Sequence, residues 1–148
     1  MEKYLKSDVL LVEDNPYDAE LTLRALKKQG LANEIFVAVD GEEALDFLFC
    51  RGRFSERDQD SPVRVVLLDL KLPKISGLEV LKEVKSNPLT SKIPVVILTS
   101  SREDPDINSA YELGANSYVV KPVDFEEFIR AVQHTGLFWL LVNETERK

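Results

Sequence analysis

The chain has 148 residues, of which 44% are hydrophobic and 30% charged, and this balance predicts one globular domain around a single core. A net charge of −7 argues against nonspecific nucleic-acid binding, which needs basic surfaces that displace counterions from phosphates. The longest apolar run, six residues at 137–142, is too short to span a membrane, and the single cysteine excludes an internal disulfide and favours a reducing cytoplasm.

Five short apolar runs alternate with amphipathic segments along the chain. The runs lie at residues 8–12, 34–39, 63–68, 93–98 and 117–120. Stretches such as Val-Val-Leu-Leu are continuously apolar, which is typical of strands that are covered on both faces of a parallel sheet.

Helix-start signals follow each of these runs. A proline or a capping residue marks the five expected starts: Pro16, Asp40, Ser76, Asp104 and Asp124. Five strand–helix pairs predict an α/β domain doubly wound around a five-stranded parallel sheet, whose ligands bind beyond the carboxyl ends of the strands. We expect the whole chain, 1–148, to form this single domain, with a last helix extended over about 124–143.

The segment at residues 50–62 separates the second helix from the third strand and is rich in charge. We interpret it as a surface loop on the face away from the functional edge of the sheet. A contact with a partner protein is the alternative interpretation.

Reactive side chains fall at the ends of four predicted strands. Glu13 and Asp14 end the first strand, Asp69 the third, Thr99 the fourth and Lys121 the fifth. Any one of these could be an ordinary cap, turn or loop residue. Their conjunction at four strand ends of one α/β domain predicts a functional site.

Three carboxylates at one edge would raise one another's pKa unless a cation neutralises them. Mg²⁺, or Mn²⁺ in its place, prefers oxygen ligands of this kind. We expect Asp14 and Asp69 to bind the ion directly, Glu13 to reach it through water, and the backbone carbonyl of Lys71 to supply a further oxygen.

The remaining groups suit a phosphoryl group. An ionised carboxylate can attack phosphorus, and Asp69 is the best-placed nucleophile because the expected strand order puts its strand at the centre of the sheet. The ion would then bind one phosphoryl oxygen, the Lys121 ammonium a second, and the Thr99 hydroxyl together with a backbone N–H the third.

Four stretches of the chain resemble the receiver domain of two-component response regulators. They are Val9-Leu-Leu-Val-Glu-Asp-Asn15, Leu67-Leu-Asp-Leu-Lys-Leu-Pro73 with Gly77 after it, Val95-Val-Ile-Leu-Thr-Ser-Ser101, and Gly114-Ala-Asn-Ser-Tyr-Val-Val-Lys-Pro122. Together with the segments between them, these stretches extend the resemblance over residues from about 8 to about 133. The resemblance implies a CheY-like, flavodoxin-like (βα)5 fold with strand order 2-1-3-4-5 and a cis Lys121–Pro122 bond.

The resemblance also implies a role for each site residue. Asp69 would accept a phosphoryl group from a sensor histidine kinase, and Thr99 and Tyr118 would form a switch pair. Phosphorylation would draw Thr99 toward the phosphate and let Tyr118 turn inward, although a half-buried strand aromatic is the simpler interpretation of Tyr118. The domain would signal rather than catalyse, apart from its own Mg²⁺-dependent autophosphorylation and autodephosphorylation.

A finer resemblance concerns the long loop at 50–62 and the tail at 138–143. Both are similar to those of small regulators that pair with phytochrome-type light-sensing kinases. About 15 residues follow the usual end of a receiver domain, so we expect a stand-alone receiver without an output domain.

The tail itself predicts an interface. Six consecutive apolar residues at 137–142 cannot share one face of a helix, and exposed apolar patches commonly mark interfaces. We expect a homodimer through the face of helix four, strand five and helix five, with Leu137, Phe138, Trp139 and Leu141 in the interface. The alternative is a tail that folds back on its own domain. His134 is expected at the surface or interface rather than as a ligand.

Two other functions would also use an aspartate at a strand end or this fold. A haloacid-dehalogenase-like Mg²⁺-dependent phosphatase needs a second aspartate two residues after its nucleophile, where this chain has Lys71. A receiver-like adaptor that never accepts phosphate does not need the complete set of site residues.

Overall fold

The computed structural model describes residues 8–27, 35–59 and 62–133. Strands and helices alternate along these residues, as the sequence predicted. In chain order they are β1 (Val9–Val12), α1 (Pro16–Lys27), β2 (Ile35–Ala38), α2 (Gly41–Leu48), β3 (Val65–Asp69), α3 (Gly77–Ser86), β4 (Val95–Thr99), α4 (Asp106–Glu112), β5 (Ser117–Val120) and α5 (Phe125–Gln133). The five apolar runs match the five strands to within two residues at either end.

The strands form one parallel sheet in the order β2-β1-β3-β4-β5. This confirms the predicted doubly wound fold and its strand order. Every residue of β1, β3 and β4 is buried, which explains why their sequences are continuously apolar.

Two hydrophobic clusters cover the two faces of the sheet, because successive side chains of a strand point to opposite sides. Leu10 of β1 belongs to the cluster that contains Phe47 of α2. Its neighbour Leu11 belongs to the other cluster, with Leu26 of α1 and Phe128 of α5. Helices therefore cover the sheet on both faces.

Capping side chains begin the helices at the positions that the sequence indicated. Each accepts a hydrogen bond of 2.8–3.2 Å from a backbone N–H two or three residues further on: Asn15, Asp40, Ser76, Asp104 and Asp124. For α1 the cap is Asn15, one residue before the proline that marked the helix in the sequence. These caps fix the first turn of each helix at the same edge of the sheet as the strand ends.

The segment after α2 is only partly the surface loop that we predicted. Its described residues are mostly exposed, but a 3-10 helix at Gly52–Phe54 buries Phe54 edge-on against Phe36 and Phe47. Arg57 is also buried, stacks on the Phe47 ring and donates to the Phe47 carbonyl at 2.5 Å. The prediction was wrong for these two residues. The charged residues around them indicated an exposed loop, whereas Phe54 and Arg57 pack against the Phe47 ring. The location is as expected, since the segment packs on the last turn of α2, opposite its cap.

Some predictions concern residues outside the described part of the chain. The extension of the last helix to about 143 is one of them. The others are the positions of His134, Leu137, Phe138, Trp139 and Leu141. Among the residues that are described, no helix is long and apolar enough to cross a membrane.

Candidate functional site

The register of the sheet brings the reactive strand ends together. Val12 of β1 pairs with Leu68 of β3, so the residues that follow them, Glu13 and Asp69, lie side by side. The N–H of Glu13 extends the ladder by donating to the Ala38 carbonyl of β2 at 3.0 Å. The carboxylates that the sequence placed on separate strands are therefore neighbours.

A cavity of about 220 Å³ opens at this edge of the sheet. Five of its lining residues were predicted as site residues, whereas Asn15, Asp18 and Ser100 were not. The full lining is Glu13, Asp14, Asn15, Asp18, Asp69, Lys71, Ser100 and Lys121. Side chains from β1, α1, β3, β4 and β5, or from the loops that follow those strands, thus meet in one small polar space.

Lys121 lines this cavity and bonds three of its carboxylates. Its Nζ donates to Glu13 Oε1 and Asp18 Oδ2 at 3.1 Å and to Asp69 Oδ2 at 3.2 Å. Burial alone would lower the pKa of Lys121, but the charges of Asp69 and Glu13 and the hydrogen bond to Asp18 outweigh it and raise that pKa above its usual value. The raised pKa favours the charged ammonium form of Lys121. The Lys121–Pro122 bond after it is cis, as the resemblance implied.

The three predicted metal-ligating carboxylates form an acidic cluster, Glu13, Asp14 and Asp69. One oxygen of each lies within 4.8 Å of the others. Glu13 and Asp69 are buried, whereas Asp14 is exposed. Burial of Glu13, followed by the charge of Asp69, raises the pKa of Glu13 from 4.5 to about 7 despite the nearby Lys121. The single positive charge of Lys121 does not balance three carboxylates. The oxygen atoms of these carboxylates are ligands that suit a hard divalent cation.

Asp69 is held from two directions. It is the last residue of β3, and its Oδ1 accepts the N–H of Lys71 at 3.1 Å while its Oδ2 binds Lys121. The loop then returns so tightly that a Cβ on Gly77 would lie 2.4 Å from the Asp69 carbonyl oxygen. Only glycine fits there, so the β3–α3 loop clamps the backbone of Asp69.

Thr99 ends β4 and is buried. Its hydroxyl donates to the Ser101 carbonyl at 3.1 Å and has Asp104 Oδ2 as a second acceptor at 3.3 Å. The hydroxyl is thus occupied by the β4–α4 loop, while the neighbouring Ser100 lines the acidic cavity.

Tyr118 lies on β5, half-buried, opposite Ile97 of β4. Its ring packs edge-on to Tyr111 of α4, with ring centroids 6.4 Å apart. Thr99 is two residues beyond Ile97 along β4, so both predicted switch residues lie on adjacent strands and contact the same helix or the loop that precedes it.

Asp18 is the charged site residue that the sequence analysis missed. It lies in the first turn of α1, four residues after Asp14. It does not follow an apolar run, which is the signal that marked the other site residues. A signal was present, because a helix that starts directly after an acidic strand end must place its first turn at the same edge of the sheet.

Comparison with known proteins identifies the family. A family model described as the response regulator receiver domain matches residues 9–133. The chain belongs to this family. As a receiver domain it acts in phosphorylation-dependent signalling, with a histidine kinase as its general type of partner, and the phosphatase alternative is not favoured.

Three solved structures are similar to this receiver domain. The bacteriophytochrome response regulator AtBRR is 57% identical, with a TM-score of 0.82 over 90% of this chain and 94% of that one. Rcp1 of Synechocystis is 38% identical over 89% of this chain and 88% of its own, and its Mn²⁺-bound form has a TM-score of 0.70. The phosphorylated cyanobacterial phytochrome response regulator RcpA is 36% identical, with a TM-score of 0.73 and coverage of 90% and 94%.

Proposed function

We propose that Asp69 of this receiver domain accepts a phosphoryl group from a sensor histidine kinase and that the phosphoryl group drives a conformational or oligomeric change. One observation carries the assignment: the Lys121 ammonium binds Asp69 at 3.2 Å inside the acidic cavity. Phosphoryl transfer to a carboxylate needs a nucleophilic oxygen that is held in position and a positive charge beside the phosphoryl group. Asp69 and Lys121 supply these two groups.

In the transfer itself, a carboxylate oxygen of Asp69 forms a bond to phosphorus as the bond from phosphorus to the kinase histidine breaks. The electron pair of that bond returns to the imidazole nitrogen, and the proton on the other ring nitrogen makes the departing side chain a neutral imidazole. The Lys71 N–H and the Lys121 ammonium hold Asp69 in one orientation, which favours in-line attack. Lys121 then remains beside the new phosphoryl oxygens and offsets their charge.

A divalent cation, Mg²⁺ or Mn²⁺, would bind at the acidic cluster. The oxygen donors of Asp14 and Asp69 would bind it directly, Glu13 through water, and the carbonyl of Lys71 would complete the set. Support comes from the proximity of the three carboxylates and from the Mn²⁺-bound structure of the related Rcp1. When bound, the ion supplies the positive charge that the cluster lacks. With it, we expect autophosphorylation by small phosphodonors and autodephosphorylation.

Thr99 and Tyr118 would couple phosphorylation of Asp69 to a change in the surface around α4. A phosphoryl group on Asp69 carries nearly two negative charges, so it offers the Thr99 hydroxyl a more highly charged acceptor than the Ser101 carbonyl at 3.1 Å or the Asp104 carboxylate at 3.3 Å. Loss of the present contacts would release the loop before α4 and with it the packing of Tyr118 on Tyr111. The simpler interpretation of Tyr118 as a packing residue predicts no such change.

The face of α4, β5 and α5 would carry the output. A cavity of about 690 Å³ lies there, lined in part by Tyr111, Tyr118 and the ion pair between Arg102 and Glu127. We propose that this face, together with the apolar tail, forms a homodimer and that the kinase is of the phytochrome type. Similarity to AtBRR supports the second proposal. The single-domain organisation and the cytoplasmic location stay predictions.

Incubation with Mg²⁺ and acetyl phosphate, followed by intact-mass measurement, tests the chemistry. We expect a gain of one phosphoryl group that Asp69→Asn abolishes. Asp58→Asn, an exposed residue on the segment that packs on the last turn of α2, is the matched control and should be modified like the wild type. A gain that persists in Asp69→Asn would overturn the assignment. Sizing of the same samples tests the dimer, which a monomer in both phosphorylation states would contradict.

A further inference from the structure

Asp18 contacts the proposed phosphoryl site without belonging to the acidic cluster. Lys121 Nζ binds three carboxylates at nearly equal distances, 3.1 Å to Glu13, 3.1 Å to Asp18 and 3.2 Å to Asp69. Glu13 and Asp69 have roles in the proposed metal site and in phosphoryl transfer, whereas nothing in the proposed function uses Asp18. The contact of Asp18 with Lys121 therefore has no role in the metal site or in phosphoryl transfer as proposed above.

Asp18 is fixed by the start of α1. Its N–H donates to the Asn15 side chain at 3.0 Å, and the Asn15 N–H donates in turn to Glu13 Oε2 at 3.3 Å. The cap of α1 thus ties Asp18 to the strand end that carries Glu13. This contact with Lys121 is built into the fold rather than made by a loose surface side chain.

An ammonium has three hydrogen-bond donors, so three carboxylates occupy all those of Lys121. Phosphorylation leaves Asp69 without a charged carboxylate oxygen, so its place on the ammonium passes to a phosphoryl oxygen. A second phosphoryl oxygen can bind the ammonium only by replacing Glu13 or Asp18. The Glu13 and Asp69 side chains are 0% and 6% exposed, whereas Asp18 is 32% exposed. Asp18 is therefore the partner that water can solvate after release, and its release costs least.

We propose that Asp18 is a positioning residue that holds Lys121 while Asp69 is unphosphorylated and competes with the phosphoryl oxygens for the ammonium. This inference rests on the proposed function of Asp69 and Lys121. The competition lowers the affinity of the site for a phosphoryl group and shortens the lifetime of the phosphorylated state. Asp18 thus sets how readily the receiver returns to its resting state.

The test compares Asp18→Asn, Asp18→Glu and the wild type, with beryllium trifluoride plus Mg²⁺ as a phosphoryl mimic. Asp18→Asn keeps the size of the side chain but removes its charge, so we expect roughly 3- to 10-fold tighter binding of the mimic and a similarly slower loss of phosphoryl from Asp69. Asp18→Glu keeps the competing charge, so it should behave like the wild type. A merely structural role would make both variants deviate in the same direction.

Glu20→Gln is the matched control, because it also removes one negative charge from α1, but from an exposed carboxylate that pairs with Arg24 rather than with Lys121. It should leave the affinity for the mimic unchanged. Equal or weaker binding in Asp18→Asn, or equal tightening in Glu20→Gln, would overturn the competition. If the wild type itself neither binds the mimic nor accepts phosphate, the proposed function falls and the role of Asp18 falls with it. If the wild type is phosphorylated normally, a negative result for the Asp18 variants contradicts only the proposed role of Asp18.

Discussion

The metal-free receiver domain should lose stability with rising pH because of one buried carboxyl, Glu13. Its side chain is fully buried beside Asp69, and burial followed by that neighbouring charge raises its pKa from 4.5 to about 7. A carboxyl with a raised pKa binds its proton more tightly in the folded state than in the unfolded state. Its contribution to stability is therefore complete below pH 4.5 and is lost as the pH rises through about 7.

The size of the effect follows from the shift in the pKa. At about 1.4 kcal/mol per pKa unit, the rise from 4.5 to about 7 corresponds to about 3 kcal/mol, most of it lost between pH 5 and 8. Glu13→Gln cannot ionise, so it should escape this loss. With a chelator present, its stability relative to the wild type should increase by about 2 to 3 kcal/mol from pH 5 to pH 8.

Urea unfolding of both proteins at several pH values, in the presence of a chelator, measures this difference directly. Glu83→Gln, an exposed glutamate on α3, is the control and should give a difference that does not change with pH. A flat difference for Glu13→Gln would refute the idea that Glu13 is held uncharged by burial and by Asp69. Saturating Mg²⁺ should stabilise the wild type more at pH 8 than at pH 5, since the ion needs ionised ligands.

Three further changes test the packing around the site and the core. Gly77→Ala places a Cβ 2.4 Å from the Asp69 carbonyl oxygen, so it should cost about 1 to 3 kcal/mol in urea unfolding and slow phosphorylation; unchanged stability would contradict the clamp. Phe47→Ala empties a fully buried aromatic site and should cost about 3 to 5 kcal/mol by the same measurement, without changing which residue is phosphorylated. Thr90→Val removes the 2.6 Å hydrogen bond to the Val84 carbonyl and should lower the thermal midpoint by the equivalent of about 1 to 2 kcal/mol, whereas Thr90→Ser should largely restore it.

Most of the fold was predictable because its signals are local. A strand covered on both faces must be apolar at every position, so Val65–Asp69 and Val95–Thr99 are visible in the sequence without knowledge of their neighbours. The caps of the helices are equally local, since each side chain bonds a backbone N–H two or three residues away. The alternation of strands and helices then predicted that the site lies beyond the carboxyl ends of the strands.

The segment after α2 shows where local signals fail. Phe54 and Arg57 lie among charged and polar residues, and their burial depends on Phe36 of β2 and Phe47 of α2. That aromatic cluster joins residues from three separate parts of the chain. Composition alone therefore predicted an exposed loop where the structure has two buried anchors.

The sequence by itself determined the order of the elements and the edge of the sheet at which Glu13, Asp69 and Lys121 would meet, because parallel strands all end at one edge. Only the tertiary structure decided how the single ammonium is divided among its partners. The 3.1 Å contact from Lys121 to Asp18 joins residues 103 positions apart. Such a contact depends on the register of the sheet and on the angle at which α1 leaves β1. Both are set by packing across the whole domain, which no local pattern records.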